Sequence, residues 1–241
     1  MSAGLVLLHG WGMRAAIWEN LDANLGPRNV HRPDLPGYGD APAPTAYTLE
    51  AVVDALARDL PERVDLVGWS LGGTLALHWA LTRPAQVRRL VLIATTPRFV
   101  AHESWPHGVS PATLRIFTTQ LKRDADALMR RFCALQAEGE ADADTVATRL
   151  YEARAQTDST TLLASLGLLG ETDLCDAVRR LEQPALVLHG AQDTVTPVSA
   201  ARWLAAALPD ARLHIDESGG HALPLTRAED CARRITEFLH E

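Results

Sequence analysis

A serine set among glycines is the first residue of this sequence that could do chemistry. Gly68-Trp69-Ser70-Leu71-Gly72 has the pattern G-x-S-x-G and is followed by Gly73. The pattern alone is common, so its setting decides. Val64-Asp65-Leu66-Val67 reads as a strand and Leu71 to Thr82 as a helix. A sharp strand-to-helix turn of this kind lifts a serine hydroxyl out of the sheet as a nucleophile. The turn has no room for flanking side chains, which explains the glycines. It also sets Ser70 Oγ at a helix N-terminus, where the dipole favours developing negative charge. Without chemistry the same residues would be a plain small-residue turn.

A serine hydroxyl needs a base, and the chain offers nine histidines. His221, in Gly219-Gly220-His221-Ala222, falls in the loop between the last expected strand and the last helix. That is the carboxyl edge of the sheet, where Ser70 also lies. His9 precedes Gly10 at the end of the first strand and reads as a residue that orders a loop. His189 ends a strand but lies too close to the candidate acid to be a separate partner. His31, His78, His102, His107, His214 and His240 have no comparable setting.

Where a strand–turn–helix carries the serine, the orienting acid lies between serine and histidine in the chain. Asp193 fits, in the loop His189-Gly-Ala-Gln-Asp193-Thr-Val-Thr-Pro197 after the strand Ala185 to Leu188; Asp173 and Asp176 fall in a helical block instead. The acid would hold the imidazole tautomer and stabilise the imidazolium. Two backbone N–H groups must hold the oxyanion. Leu71, the residue after the nucleophile, supplies one, and Trp11 in His9-Gly10-Trp11-Gly12 the other. The arrangement points to acyl transfer from an ester, with no metal and no organic cofactor.

The elements that must position these residues alternate. Leu5 to Leu8, Val64 to Val67, Leu90 to Ile93 and Ala185 to Leu188 are near-continuous apolar runs, as in strands buried on both faces of a parallel sheet. Weaker strands are expected at Val30 to Arg32 and Arg212 to Ile215. Helices are expected over Thr48 to Leu60, with Thr48 as N-cap, and over Val198 to Leu208, opened by Thr196-Pro197. Thr226-Arg-Ala-Glu229 reads as a capping box opening a last helix to about Leu239. Between about Arg98 and Leu181 only helical patterns occur: Pro111 to Lys122, Asp124 to Ala137, Asp142 to Gln156, Thr160 to Leu169 and Thr172 to Leu181. The expected organisation is an α/β core over residues 1–97 and 182–241, with a helical cap inserted at residues 98–181.

Composition agrees with one such unit. The 241 residues are 47% hydrophobic and 22% charged, and the net charge of -7 gives a nucleic-acid partner no support. Cys133, Cys175 and Cys231 are an odd, unpatterned set, which argues against a disulfide framework and against a zinc site. The first residues, MSAGLVLLHGWG, lack the charged and long apolar regions of a signal peptide, and no apolar run is long enough to span a bilayer. A cytoplasmic monomer is expected.

Together, LVLLHGWG, DLPGYG (Asp34 to Gly39), GWSLGG, GAQDTVTP and GGHA resemble the α/β-hydrolase superfamily from end to end. HGWG with GWSLGG, Glu103-Ser-Trp-Pro106 and Arg131-Phe-Cys-Ala-Leu-Gln136 resemble, within it, the pimeloyl-acyl-carrier-protein methyl ester esterases of biotin synthesis. The resemblance implies an α/β-hydrolase fold and hydrolysis of an acyl methyl ester on a carrier protein. It also implies oxyanion donors at Trp11 and Leu71. The substrate site would be lined by Phe132, Cys133, Ala134, Leu135 and Gln136 beside Trp11, Trp69, Leu71 and His221. Two departures stand out. The chain starts almost at the oxyanion-loop strand, so about six strands are expected and the usual two leading ones are missing. The basic residues that would greet an acidic carrier (Lys122, Arg123, Arg130, Arg131, Arg149 and Arg154) are interrupted by Glu138, Glu140, Asp142 and Asp144.

Trp105 and Phe117 are further candidates for an acyl pocket, although helical spacing makes Phe117 a core residue first. The triad itself does not fix the substrate. A general short-chain carboxylesterase and a carbon–carbon bond hydrolase remain open, as does a non-catalytic member that uses the pocket as a receptor.

Overall fold

A computed structural model describes residues 3–240; the outermost bounds of the expected core, at residues 1, 2 and 241, lie outside the described residues. Six strands form one parallel sheet: β1 (Gly4–Leu8), β2 (Val30–His31), β3 (Val64–Trp69), β4 (Val87–Ile93), β5 (Ala185–Gly190) and β6 (Ala211–Asp216). Their order is β2-β1-β3-β4-β5-β6, every neighbouring pair parallel. The apolar runs that mark the strands in the sequence are the central ones. Every residue of β1, β3 and β5 is buried, whereas the edge strand β6 is only partly covered. The one charge inside β3, Asp65, is buried and takes a hydrogen bond of 2.8 Å from Arg88 Nε on β4. A buried carboxylate needs such a partner.

Helices α2 (Leu49–Ala57), α3 (Leu71–Thr82), α8 (Val198–Ala207) and α10 (Ala228–His240) lie between or after strands as the periodicity predicts. Thr48 caps α2 by accepting from Ala51 N. The sequence gives no warning of a 3-10 turn at Ala15–Trp18 and helix α1 (Glu19–Ala23), which bury Ile17, Trp18 and Leu21. Two expected caps are absent. Pro197, not Thr196, occupies the cap position of α8. Thr226 ends a short helix α9 (Leu223–Thr226), and its hydroxyl donates to Glu140 Oε1 and Ala222 O, so no capping box forms there.

Between β4 and β5 stand four helices: α4 (Pro111–Arg123), α5 (Ala125–Ala137), α6 (Ala143–Glu152) and α7 (Ser159–Glu171). Ser110, Asp124, Asp142 and Asp158 cap them, each side chain accepting from the amide three residues on. A fifth helix over Thr172 to Leu181 does not form. Asp173 pairs with Arg98 and takes the amide of Cys175 at 3.0 Å, leaving a 3-10 turn at Ala177–Arg180. A short acidic side chain that captures nearby backbone competes with helix.

Candidate active site

Ser70 follows the last residue of β3 and precedes α3, with φ 55° and ψ -117°. A non-glycine residue held there is strained, typically by about 1–3 kcal/mol. Close packing enforces the turn. A Cβ on Gly68 would strike the backbone of Gly72 and Gly73, and one on Gly72 would strike the backbone of Leu8 and His9. The helix thus starts hard against β1, and Leu71, its first residue, has an amide without an earlier helical carbonyl to bond. Ser70 itself is half-buried.

Asp193 and His221 meet at the same sheet edge. His221 Nδ1 lies 2.8 Å from Asp193 Oδ2, both side chains being buried. Burial pushes the Asp193 carboxyl up, but His221, His189 and donated hydrogen bonds outweigh it and hold it below the usual range. Oδ1 accepts from the amides of Val195 and Thr196, each at 2.8 Å, and Oδ2 accepts from Thr196 Oγ1 at 2.7 Å. Nδ1 of His221 donates to Asp193 Oδ2, which fixes the tautomer that leaves the lone pair on Nε2. His221 Nε2 is buried and has no hydrogen-bond partner among the described residues, Ser70 included. Free sites often show such a gap, which closes with substrate.

His189, set aside in the sequence as too near the acid, stands under it: its Nε2 donates to Thr196 O at 2.8 Å and lies 3.3 Å from Asp193 Oδ2. Burial lowers its pKa and keeps it neutral. His9 is the loop-ordering residue its position predicts. Nδ1 donates to Gly10 O at 2.9 Å and Nε2 accepts from Leu35 N at 2.9 Å. Burial lowers its pKa from 6.5 to about 4. The loop it orders carries Trp11, whose indole Nε1 donates to Leu162 O at 3.1 Å, and Gly12, whose carbonyl accepts from Ala155 N at 3.0 Å. The helical segment therefore grips the loop from above.

A cavity of about 230 Å³ opens over Ser70, walled mainly by Trp11, Phe99, Phe117, Phe132, Leu135, Leu166 and Val195, with Arg131 and Thr194 among its polar groups. Of the five consecutive residues implied as substrate-lining, Phe132 and Leu135 reach it. Cys133 and Gln136 are buried elsewhere and Ala134 is exposed, because a helix turns only one stripe toward a given face. Trp69 is also not in the wall. Its indole Nε1 donates to His221 O at 2.9 Å and its ring lies 5.6 Å from the imidazole, so it braces the histidine from below. Leu71 is fully buried, and neither it nor His221 lines the cavity. Phe117, expected in the helix core, lines the cavity edge-on to Phe132, whereas Trp105 packs against Trp203.

Thr196 and Glu140 are the residues that sequence reasoning missed. Thr196 was legible only as a helix cap, yet its hydroxyl turns to Asp193. Glu140 reads as one acid in a mixed-charge run, yet it bonds Gly220, beside His221. Among the described residues, no three His, Cys, Asp or Glu side chains are grouped to hold a metal ion, and no helix is long and apolar enough to cross a membrane. All three cysteines are free.

The chain belongs to the alpha/beta hydrolase family, whose model matches residues 5–234. It is 44% identical over 244 residues to the pimeloyl-acyl-carrier protein methyl ester esterase of Aromatoleum aromaticum, covering 98% of this chain and 97% of that one. The protein of the same name from Chromobacterium violaceum is 39% identical over 237 residues, covering 98% and 93%. Solved structures agree on the fold. An esterase from Exiguobacterium antarcticum superimposes with a TM-score of 0.91 at 22% identity, covering 100% of this chain and 92% of that one. A bromoperoxidase from Bacillus anthracis gives 0.92 at 21%, covering 100% and 93%.

Proposed function

We propose that this chain is a carboxylic ester hydrolase that removes the methyl group from a pimeloyl methyl ester borne on acyl-carrier protein, a step of biotin synthesis, working as a cytoplasmic monomer. The observation that carries the reading is the placement of Ser70 at the floor of an apolar cavity, beside a buried Asp193–His221 pair whose Nε2 is unpartnered. Sequence identity to esterases of that name over nearly the whole chain supports the substrate.

Ser70 Oγ attacks the ester carbonyl carbon while His221 Nε2 takes its proton. The amides of Trp11 and Leu71 hold the oxyanion, each such donor lowering the barrier by on the order of 3 kcal/mol. Collapse expels methanol, protonated by His221, and leaves an acyl-enzyme on Ser70. Water, activated by the same imidazole, then releases the free carboxylic acid. Residues 98–181 act as a cap whose Phe117, Phe132, Leu166 and Leu169 enclose the methylene chain.

The acyl chain leaves the cavity toward its carrier past Arg131. It lines the cavity and is held by Gln120 Oε1 at 3.2 Å. Arg130 and Arg154 are committed elsewhere, paired with Asp126 and stacked on Tyr151. The test compares kcat/KM for pimeloyl-acyl-carrier-protein methyl ester with that for methyl butyrate and p-nitrophenyl butyrate. A preference of at least a hundredfold for the carrier-bound ester over methyl butyrate is expected. Equal values would favour a general short-chain esterase.

A further inference from the structure

Glu140 lies in the turn between α5 and α6, in a run where Glu138, Asp142 and Asp144 are all exposed. Its own side chain is only 4% exposed. A carboxylate taken out of water needs donors, and three are in place. Oε1 accepts from Gly220 N and from Thr226 Oγ1, each at 3.0 Å, and Oε2 from Arg227 Nη1 at 3.0 Å. Arg227 continues to Asp216 Oδ2 at 3.2 Å and to Ser218 O at 3.2 Å. The loop that presents His221 is thus fastened at its start through Arg227, and at the residue before the histidine by Glu140 itself.

The surrounding packing is built for this approach. Gly139 has φ 85°, a conformation that favours glycine, and a Cβ there would stand 2.7 Å from Gln192 Cβ, next to Asp193. A Cβ on Gly220 would stand 2.9 Å from Glu138 O. Thr194 Oγ1 donates to Leu135 O at 3.1 Å. One end of α5 therefore touches both loops, the one carrying Asp193 and the one carrying His221.

We propose that Glu140 is a positioning residue of the active site, reaching from the helical segment to fix the peptide before His221 and so aim Nε2 at Ser70. The role rests on the esterase reading of Ser70 and His221. A misplacement of about 1 Å at such a base can cost on the order of a hundredfold in rate.

The test is steady-state hydrolysis of p-nitrophenyl butyrate, with a melting temperature for each protein, by wild type and the Ser70→Ala, Glu140→Ala, Glu140→Asp and Glu140→Gln variants. Glu140→Ala is expected to lower kcat at least tenfold with KM within twofold. Glu140→Gln keeps an acceptor for the Gly220 amide and is expected to recover kcat to within about threefold of wild type. Glu140→Asp, with its carboxylate drawn back by one methylene, stays low. A Glu140→Ala kcat within threefold of wild type, whatever its melting temperature, would overturn the proposal and leave Glu140 a tether. A Glu140→Gln protein no faster than Glu140→Ala would overturn it equally. If Glu140→Ala does not fold, Glu140→Asp decides: a lowered kcat at unchanged KM supports the role and a wild-type kcat overturns it. Activity surviving in Ser70→Ala would instead overturn the esterase reading itself, so the two failures are distinct.

Discussion

Asp193 Oδ2 and His221 Nδ1 are 2.8 Å apart, and neither side chain is more than 1% exposed. A charge-assisted bond in so dry a setting fixes both the ring orientation and the tautomer. It leaves Nε2 as the only basic atom the imidazole can offer. Asp193→Asn preserves the shape but presents an amide where the Nδ1 proton must be accepted. The expected result is a fall in kcat of about 10³–10⁴-fold with little change in KM, on the scale such substitutions have in serine triads. Single-turnover kinetics would check it.

Thr196 shares the carboxylate oxygen that faces the imidazole, its Oγ1 2.7 Å from Asp193 Oδ2, 3.3 Å from His221 Nδ1 and 3.2 Å from Ala94 O. Thr196→Val keeps the volume and removes the donor. Net values of about 1.5–3 kcal/mol for hydrogen bonds to charged groups make a loss of kcat of about tenfold to a hundredfold the expected outcome. KM should stay within twofold, measured on p-nitrophenyl butyrate. An unchanged kcat would mean that the two amides of Val195 and Thr196 already hold Asp193.

His9 links the oxyanion loop to acid stability. Burial lowers its pKa from 6.5 to about 4, so between those pH values the unfolded chain takes up a proton that the folded chain refuses. Its contribution is complete above about pH 6.5 and is lost as pH falls toward 4, on the order of 3 kcal/mol in all. Thermal melts across that range should therefore steepen in wild type relative to His9→Asn. Parallel slopes for the two proteins would contradict the assignment.

Phe132 stands edge-on to Trp11, with ring centroids 5.2 Å apart, and walls the cavity above Ser70. Its truncation to alanine removes apolar surface that a long acyl chain uses and an acetyl group does not reach. Burying an aromatic side chain is worth about 1.5–3 kcal/mol. Phe132→Ala should therefore lower kcat/KM for a pimeloyl methyl ester at least tenfold and for an acetyl ester less than threefold. Equal losses on both esters would place Phe132 outside the acyl site.

The parts of the site legible in the sequence are those encoded locally. The Ser70 turn is announced by glycines within a few residues, and the strands by unbroken apolar runs. His221 and Asp193 follow from loop position at the ends of those strands. What the sequence conceals is direction and distance. Trp69 and Ser70 are adjacent, yet Trp69 ends the strand while Ser70 turns out of it at positive φ, so the indole lies under His221 instead of in the cavity. Phe117 has the spacing of a core residue because the cavity wall and the core are one continuous apolar surface. Thr196 before Pro197 looks like a helix cap until the Asp193 carboxylate, three residues back, takes its hydroxyl. Glu140 gives no local signal, since its partners Gly220, Thr226 and Arg227 lie 80 to 87 residues further along the chain.

The central claim is that Ser70 forms an acyl-enzyme, and mass spectrometry of the intact protein during turnover tests it most directly. Wild type quenched in acid while hydrolysing the pimeloyl methyl ester should carry an acyl adduct that maps to the peptide containing Ser70. Ser70→Ala should carry none and should lose hydrolysis by at least 10³-fold. An adduct on another residue, or a Ser70→Ala protein that still turns over at near wild-type rate, would contradict the account.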